Sequence, residues 1–411
     1  MNKQVPAVRF DGFSGPWEKS RLAGLTTHRS GTAIEKYFSK SGKYKVISIG
    51  SYGLDSVYVD QGIRAIKNEI TDNRLVKENE LTMVLNDKTA NGTIIGRCLL
   101  IDIDNQFVIN QRTEIISPKD NFNSKFAYVL LNGPFRDKVK KIVQGGTQIY
   151  VNYSAVENLK TCVPSIEEQQ KIGLFFKQLD ELIALQQQEL DTLKQTKQGF
   201  LQKMFPKEGE TVPEVRFEGF SGKWDEKKLG EIATLASSKR IHLSDYVEKG
   251  IPFYRGSEIS SGAITGQQEL FISENLYQEI KSKYGVPKEN DILVTAVGTL
   301  GNLWKIDTRD FYYKDGNLIQ IGNISQNSDY IYSYLNDGSG KKKLLDSSAG
   351  SNQKALTMVK MREVRIPLPK VQEQSKIGSF FKQIDDTIAL HQQELEALKE
   401  TKQAFLQKMF V

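Results

Sequence analysis

VPSIEEQQKIGLFFKQLDELIALQQQELDTLKQTKQGFLQKMF, residues Val163 to Phe205, returns as LPKVQEQSKIGSFFKQIDDTIALHQQELEALKETKQAFLQKMF at Leu368 to Phe410, with 29 of 43 positions identical at an offset of 205. In the first copy Phe176, Ile183, Leu190, Lys197 and Met204 recur every seven residues, and Ile172, Leu179, Gln186, Leu193 and Phe200 do the same four residues earlier. The second copy repeats the pattern with Phe381, Ile388, Leu395, Lys402 and Met409 and with Ile377, Ile384, His391, Leu398 and Phe405. A heptad seam of this kind predicts two long coiled-coil helices. Ser165 and Glu168 have capping-box spacing, and Pro164 and Pro369 fix the entry of the chain. At 1.5 Å per residue, roughly 36 to 40 residues make each helix about 55 to 60 Å long.

An apolar stripe of that length needs a partner, and the economical one is its own copy. Antiparallel pairing is expected, because two like repeats related by a two-fold axis then place their globular segments at opposite ends. Gln186 and His391 interrupt the seam at equivalent places and read as register-setting polar residues rather than catalytic ones.

Working outward, a second text is also doubled. PAVRFDGFSGPWEKSRLAGL at Pro6 to Leu25 matches PEVRFEGFSGKWDEKKLGEI at Pro213 to Ile232 in 10 of 20 positions, at an offset of 207. The expected organisation is therefore a first variable domain at 1–162, a first conserved helix at 163–205, a linker and second variable domain at 206–367, and a second conserved helix at 368–411. Pro206 and the polar KEGETV that follows end the first helix. Strand-like runs in the variable domains include TMVLN (Thr82 to Asn86), CLLIDI (Cys98 to Ile103), FVINQRTEII (Phe107 to Ile116), DILVTAV (Asp291 to Val297) and NLIQI (Asn317 to Ile321). Glycine-bearing loops, NGTIIG at Asn91 to Gly96 and VGTLGN at Val297 to Asn302, flank them. The expected fold class is α+β: two mixed α/β domains separated by two long antiparallel coiled-coil helices, with a pseudo-two-fold internal repeat.

Composition sets the remaining bounds. The 411 residues suffice for two domains of ordinary size, 39% are hydrophobic, and no run reaches the length of a membrane span. MNKQVPAVRF lacks the apolar core of a secretory signal, so a cytoplasmic location is expected. Cys98 and Cys162, both in the first half, predict buried thiols rather than a disulfide framework. Net charge is only +6, which makes nucleic-acid binding plausible without establishing it.

Catalytic and metal signatures are missing. His28, His242 and His391 are far apart and form no metal-ligand spacing with cysteine. DGSGKKK at Asp337 to Lys343 fails as a phosphate loop, because Leu335 stands where the first glycine belongs and lysine follows Lys341. No Pro-Pro dipeptide offers the loop with which an amino-methyltransferase holds a flipped base. A binding protein with two unlike surfaces is left, and duplex DNA suits it, since successive major-groove faces recur at about 34 to 36 Å.

The order of variable domain, helix, variable domain and helix resembles the specificity subunit of type I restriction-modification enzymes. Supporting strings are GIPFYRGSEISSGAIT at Gly250 to Thr265, the Gly-x-x-Gln elements at Gly145 to Gln148 and Gly350 to Gln353, and IPLPKVQEQSKIGSFFKQID at Ile366 to Asp385. That resemblance implies that each variable segment is a target recognition domain reading one half of a bipartite DNA site. It implies that the helices set the spacer and dock two modification subunits, which bind S-adenosylmethionine and methylate adenine. Two restriction subunits, translocases using ATP and Mg, complete the assembly, and this chain itself carries no cofactor, no metal and no catalysis.

The candidate DNA contacts are Arg64, Lys67, Arg136, Lys138, Lys141 and Gln148 in the first domain, and Lys239, Arg240, Arg255, Lys341, Lys342, Lys343 and Gln353 in the second. Arginine and glutamine suit base edges and lysine suits phosphates, although solvated surface is the ordinary role of such charges. Gly145 and Gly350 read as tight turns, with backbone approach to a phosphate as the sharper alternative. A different class of function, an architectural coiled coil whose globular ends bind other proteins, remains open at this point, as does an enzyme with an unrecognised site.

Overall fold

The computed structural model describes residues 5–260, 262–265, 269–336, 338–350 and 354–411. Contacts divide the chain into two compact units, Met1–Gln187 with Glu394–Val411, and Gln188–Gln393. Both heptad stretches are helices of 38 residues, Ile166–Lys203 and Val371–Lys408, and each contributes to both units.

Within the first unit the start of the first long helix packs on the end of the second. Phe175 meets Phe405 edge-on at 5.0 Å, Asp180 pairs with Lys402 at 2.5 Å, and Gln186 donates to Glu394 at 2.9 Å. One set of numbers rises as the other falls, so the pairing is antiparallel. The second unit has the corresponding contacts: Phe200 with Phe380 at 5.1 Å, Lys197 with Asp385 at 2.6 Å, and His391 Nδ1 3.9 Å from Glu189. Seam residues Ile172, Phe176 and Leu190, with Ile377, Phe381 and Leu395, are almost wholly buried. The polar seam positions Lys197, Lys402, Gln186 and His391 face side chains of the opposite helix, which lets them lie in an apolar seam.

Between the shared elements the two domains have one topology in their main sheet. An antiparallel sheet in the first runs in the order Thr26–Ser30, Thr113–Pro118, Leu81–Val84, Cys98–Leu100. The second has Thr234–Ala236, Leu318–Gly322, Ile292–Thr295, Leu303–Lys305 in the same order. Each also has a second sheet with a parallel pair, Tyr44–Ile47 beside Phe107–Ile109 in a three-stranded sheet and Ile251–Tyr254 beside Tyr312–Tyr313 in a four-stranded one. The run FVINQRTEII, read as one strand-like stretch, is two strands in different sheets, Phe107–Ile109 and Thr113–Pro118. Arg112 breaks it, in a turn with φ of +69°.

The repeated text has a local purpose at each residue. Arg9 grips Glu168 with two bonds of 2.7 Å, and Arg216 grips Glu373 with bonds of 2.6 and 2.8 Å, both carboxylates being buried in the first turn of a long helix. The next residue, Gln169 or Gln374, accepts from the backbone N–H of Asn123 or Asn327 and donates to the carbonyl of Pro164 or Pro369. This ties the domain helix, Ser124–Asn132 or Ser328–Asn336, to the long one. Gly173 and Gly378 follow because a Cβ there would stand 2.7 and 2.8 Å from the backbone nitrogens of Phe126 and Tyr330. The arms are anchored at the other side by Val8 N–H to the Lys408 carbonyl and Val215 N–H to the Lys203 carbonyl, both 3.0 Å or less.

Among the described residues no helix is long and apolar enough to cross a membrane. Cys98 is buried and Cys162 half-buried, both as free thiols.

Removing one partner of a buried, bidentate ion pair strands the other charge. Arg9→Leu is expected to lower the unfolding free energy by about 3 to 5 kcal/mol, with most of the loss recovered in the double variant with Glu168→Leu. Urea unfolding of the four proteins of that cycle checks it; additive losses would show that the pair is not coupled.

Candidate nucleic-acid interface

The basic clusters were the first candidates, and one residue of each, Arg136 and Lys341, supports a loop from beneath. Arg136 lies in the helix Pro134–Lys140 and is buried. Its guanidinium donates to the carbonyls of Ile95 at 2.9 Å, Gly92 at 3.0 Å and Thr93 at 2.7 Å. Burial pushes its pKa down to about 10, so it is still a cation at neutral pH. Lys341, 205 residues later in the helix Gly338–Asp346, donates to the carbonyl of Gly301 in the corresponding loop. Gly96 and Gly301 sit at φ of +71° and +70°, and a Cβ on either would lie 2.9 Å from a side chain of the supporting helix. Arg136 and Lys341, both candidate nucleic-acid contacts, thus act as supports of loop backbone in this structure.

The remaining candidates divide by what holds them. Arg64 donates both arms of its fork to Asp60 at 2.8 and 2.7 Å, and this pairing holds the Asp60 carboxyl down at about 2. Arg240 pairs with Asp315 at 2.9 Å. Arg255 bonds Glu258 at 2.5 Å and Glu269 at 2.8 Å, and its backbone N–H donates to the Glu258 carboxylate that ends the turn Gly256–Glu258, as the Ser48 N–H donates to Ser51 Oγ at the end of Ile49–Ser51 in the first unit. Lys138 donates to the Lys160 carbonyl, Lys343 lies 3.6 Å from Glu226, and Lys239 lies over the ring of Tyr284. Lys67, Lys141 and Lys342 are exposed.

Gln148 is exposed at the tip of a hairpin in which Gly145 pairs with Ile149. Gly145 has φ of +100°, and a Cβ there would lie 2.2 Å from the Gln148 carbonyl oxygen, which is the tight-turn reading. Gly350 has φ of +110° and opens the corresponding hairpin, where Ala349 pairs with Ala355. Gln353 lies outside the described residues.

Sequence reasoning passed over a cleft of about 370 Å³ in the first unit. Gln148 lines it together with Asn86, Lys88, Gln111, Arg112 and Ser48. Its floor is rigid. Glu35 accepts from the Asn110 and Gln111 amides, both at 2.9 Å, and the Asn110 bond chiefly holds its carboxyl below the usual range. Asp87 is buried, which alone would raise its pKa, but the N–H groups of Ile94 and Thr89 and the Thr89 hydroxyl outweigh that and keep it ionised. Arg112 donates to the amide oxygen of Asn86 at 3.1 Å, while the Asn86 nitrogen reaches the Leu85 carbonyl at 3.2 Å. The available signal was the polar interruption NQR inside an apolar run, which marks a turn between strands.

Comparison with known proteins agrees with this architecture. The family model described as type I restriction modification DNA specificity domain matches residues 15–195 and 221–400. The specificity subunit of the type I restriction enzyme MjaVIII of Methanocaldococcus jannaschii is 22% identical over 363 residues, covering 86% of this chain and 83% of that protein. A putative type I restriction enzyme specificity subunit of Haemophilus influenzae, S.HindORF215P, is 30% identical over 155 residues, 37% of this chain and 38% of its own. Among solved structures, the S subunit of a type I restriction-modification system from M. genitalium gives a TM-score of 0.67 at 18% identity, covering 99% of each chain.

If Arg136 is a support, Arg136→Ala should cost about 1.5 to 3 kcal/mol in urea unfolding and open the 91–96 loop to proteolysis, with Arg136→Lys retaining much of the stability. A variant of unchanged stability that binds nucleic acid more weakly would return the residue to the contact surface.

Proposed function

The chain belongs to the type I restriction modification DNA specificity family, and from that premise we propose that it is the noncatalytic sequence-reading subunit of such a complex. The observation that carries this reading is the doubling itself. Two domains share one order in their main sheet and one helical frame, while the sequences of their loops differ. One reader per domain implies a bipartite site, with the base pairs between the halves untouched.

On this reading the domain of each unit reads one half-site in duplex DNA and the paired helices set the spacer. The same helices dock two modification subunits, which bind S-adenosylmethionine and methylate adenine. Two restriction subunits, driven by ATP with Mg, join that core, and the complex works in the cytoplasm. The chain's own contribution is positioning. Exposed lysines such as Lys67, Lys141 and Lys342 suit phosphate contacts, which supply affinity, and amide and guanidinium groups in the clefts suit base edges, which supply sequence preference.

Binding should then favour one two-part sequence over unrelated duplex, and log affinity should fall linearly with log salt, by about 0.9 per phosphate neutralised. Titrations of the chain, alone and with its modification subunit, at several salt concentrations check this. Affinity indifferent to sequence and salt would favour an architectural coiled coil instead. The ruler has a separate test. Inserting seven residues between Gln187 and Gln188 and seven between Gln392 and Gln393 keeps the heptad seam and adds about 10 Å of helix. The preferred spacer should grow by about three base pairs, at about 3.4 Å each, and an unchanged spacer would show that the helices do not set it.

A further inference from the structure

The cleft in the first unit has a feature that charge clustering does not explain. Arg112 is an exposed arginine in the left-handed region, with φ of +69°. That conformation costs any residue with a Cβ. In the second unit the turn between the corresponding strands has its left-handed residue one position earlier, at Gly316 with φ of +75°, and the counterpart of Arg112, Asn317, whose carbonyl accepts from Ala296 N–H, is not left-handed. The turn is fixed in place, because the Arg112 carbonyl accepts from Leu85 N–H at 2.9 Å and Thr113 Oγ1 donates to the Asn110 carbonyl at 2.6 Å. A position where glycine would relieve the backbone carries instead the side chain with the largest planar donor array.

Arg112 also differs from the other arginines named above. Arg64, Arg240 and Arg255 direct their donors at carboxylates, and Arg136 at buried carbonyls. Among the described residues Arg112 meets only the neutral Asn86 amide, which orients one arm of a side chain that lines the cleft. Gln148, on the hairpin tip across the same cleft, has an exposed amide. The cleft is also lined by the carboxylates of Glu35 and Asp87. Negative charge there disfavours a phosphate and leaves base edges as the nucleic-acid groups that the cleft suits, with Lys88 on its rim as a phosphate partner.

Resting on the proposed reading of the chain as a DNA-specificity subunit, we infer that Arg112 and Gln148 read base edges of the first half-site. Arg112 donates two parallel bonds to guanine O6 and N7, and Gln148 takes a neighbouring base pair. The backbone conformation at Arg112 is then the cost of holding that fork at a set angle.

The test is selection from a randomised duplex pool by the full chain assembled with its modification subunit, for the parent, Arg112→Gly, Arg112→Ala and Gln148→Ala, with thermal melting of each. The Arg112 variants should lose a guanine preference of about 5- to 100-fold at one position of the first half-site, with the second half-site and the spacer unchanged. Arg112→Gly should melt no lower than the parent, which separates lost reading from lost folding. Gln148→Ala should relax a different position of the same half. Unchanged preferences, or a uniform loss of affinity for all sequences, would overturn the inference. A parent that selects no two-part sequence would instead overturn the function on which it rests.

Discussion

Each unit closes its core only with helix from the other repeat, and the rest of the structure depends on that exchange. Phe410, at the end of the second long helix, stacks on Phe126 of the first domain at 5.7 Å. Phe205, at the end of the first, stacks on Phe381 at 5.9 Å and packs on Tyr330 of the second domain at 5.5 Å. The first core joins segments from the two ends of the chain, Met1–Gln187 and Glu394–Val411, whereas the second lies within the continuous stretch Gln188–Gln393, which takes in the end of the first repeat. The requirement explains why the heptad text is copied so closely: a seam residue in one copy faces a seam residue in the other, so drift in either is felt in both units.

Two recurring devices lock domains to this frame. The arginine fork holds the arm on a buried glutamate, and the glutamine one residue later caps the backbone of the domain helix. Both pairs sit in the first turn of a long helix, where a carboxylate also meets the positive end of the helix dipole. Gly173 and Gly378, four residues after those glutamines, let the domain helix come close enough for the bonds to form. These positions form one contact, so they travel together in the text.

That frame was legible in the sequence because it rests on periodicity and duplication. The heptads predicted both long helices, their antiparallel pairing, and the role of Gln186 and His391 as polar seam residues. The reading surface was much less legible, because charge in a sequence carries no mark of burial. Arg136 and Lys341 looked like members of exposed basic runs, yet each lies on the helix face that meets a loop, and their neighbours Lys141 and Lys342 face solvent. Arg64 and Arg255 are four and three residues from the acids that hold them, Asp60 and Glu258, a proximity that has meaning only once the turn geometry is known. Arg112 was hidden for the opposite reason: it sits inside an apolar run that reads as strand, and nothing in the residue order says that the run changes sheets there.

The pairing of Arg136 with Lys341 shows how two domains can diverge on one frame. What the loop needs is a cation on the supporting helix, a glycine at φ near +70°, and carbonyls turned inward. Arginine meets that need with bonds to three carbonyls in one unit, and lysine reaches the glycine carbonyl in the other. Since the support grips backbone rather than side chains, the loop's own side chains are left unconstrained by it. Residues facing outward can then change without disturbing the sheet order below, while the seam cannot change without disturbing both cores. The contrast between copied and divergent text thus follows from where side chains are needed for folding and where only backbone is.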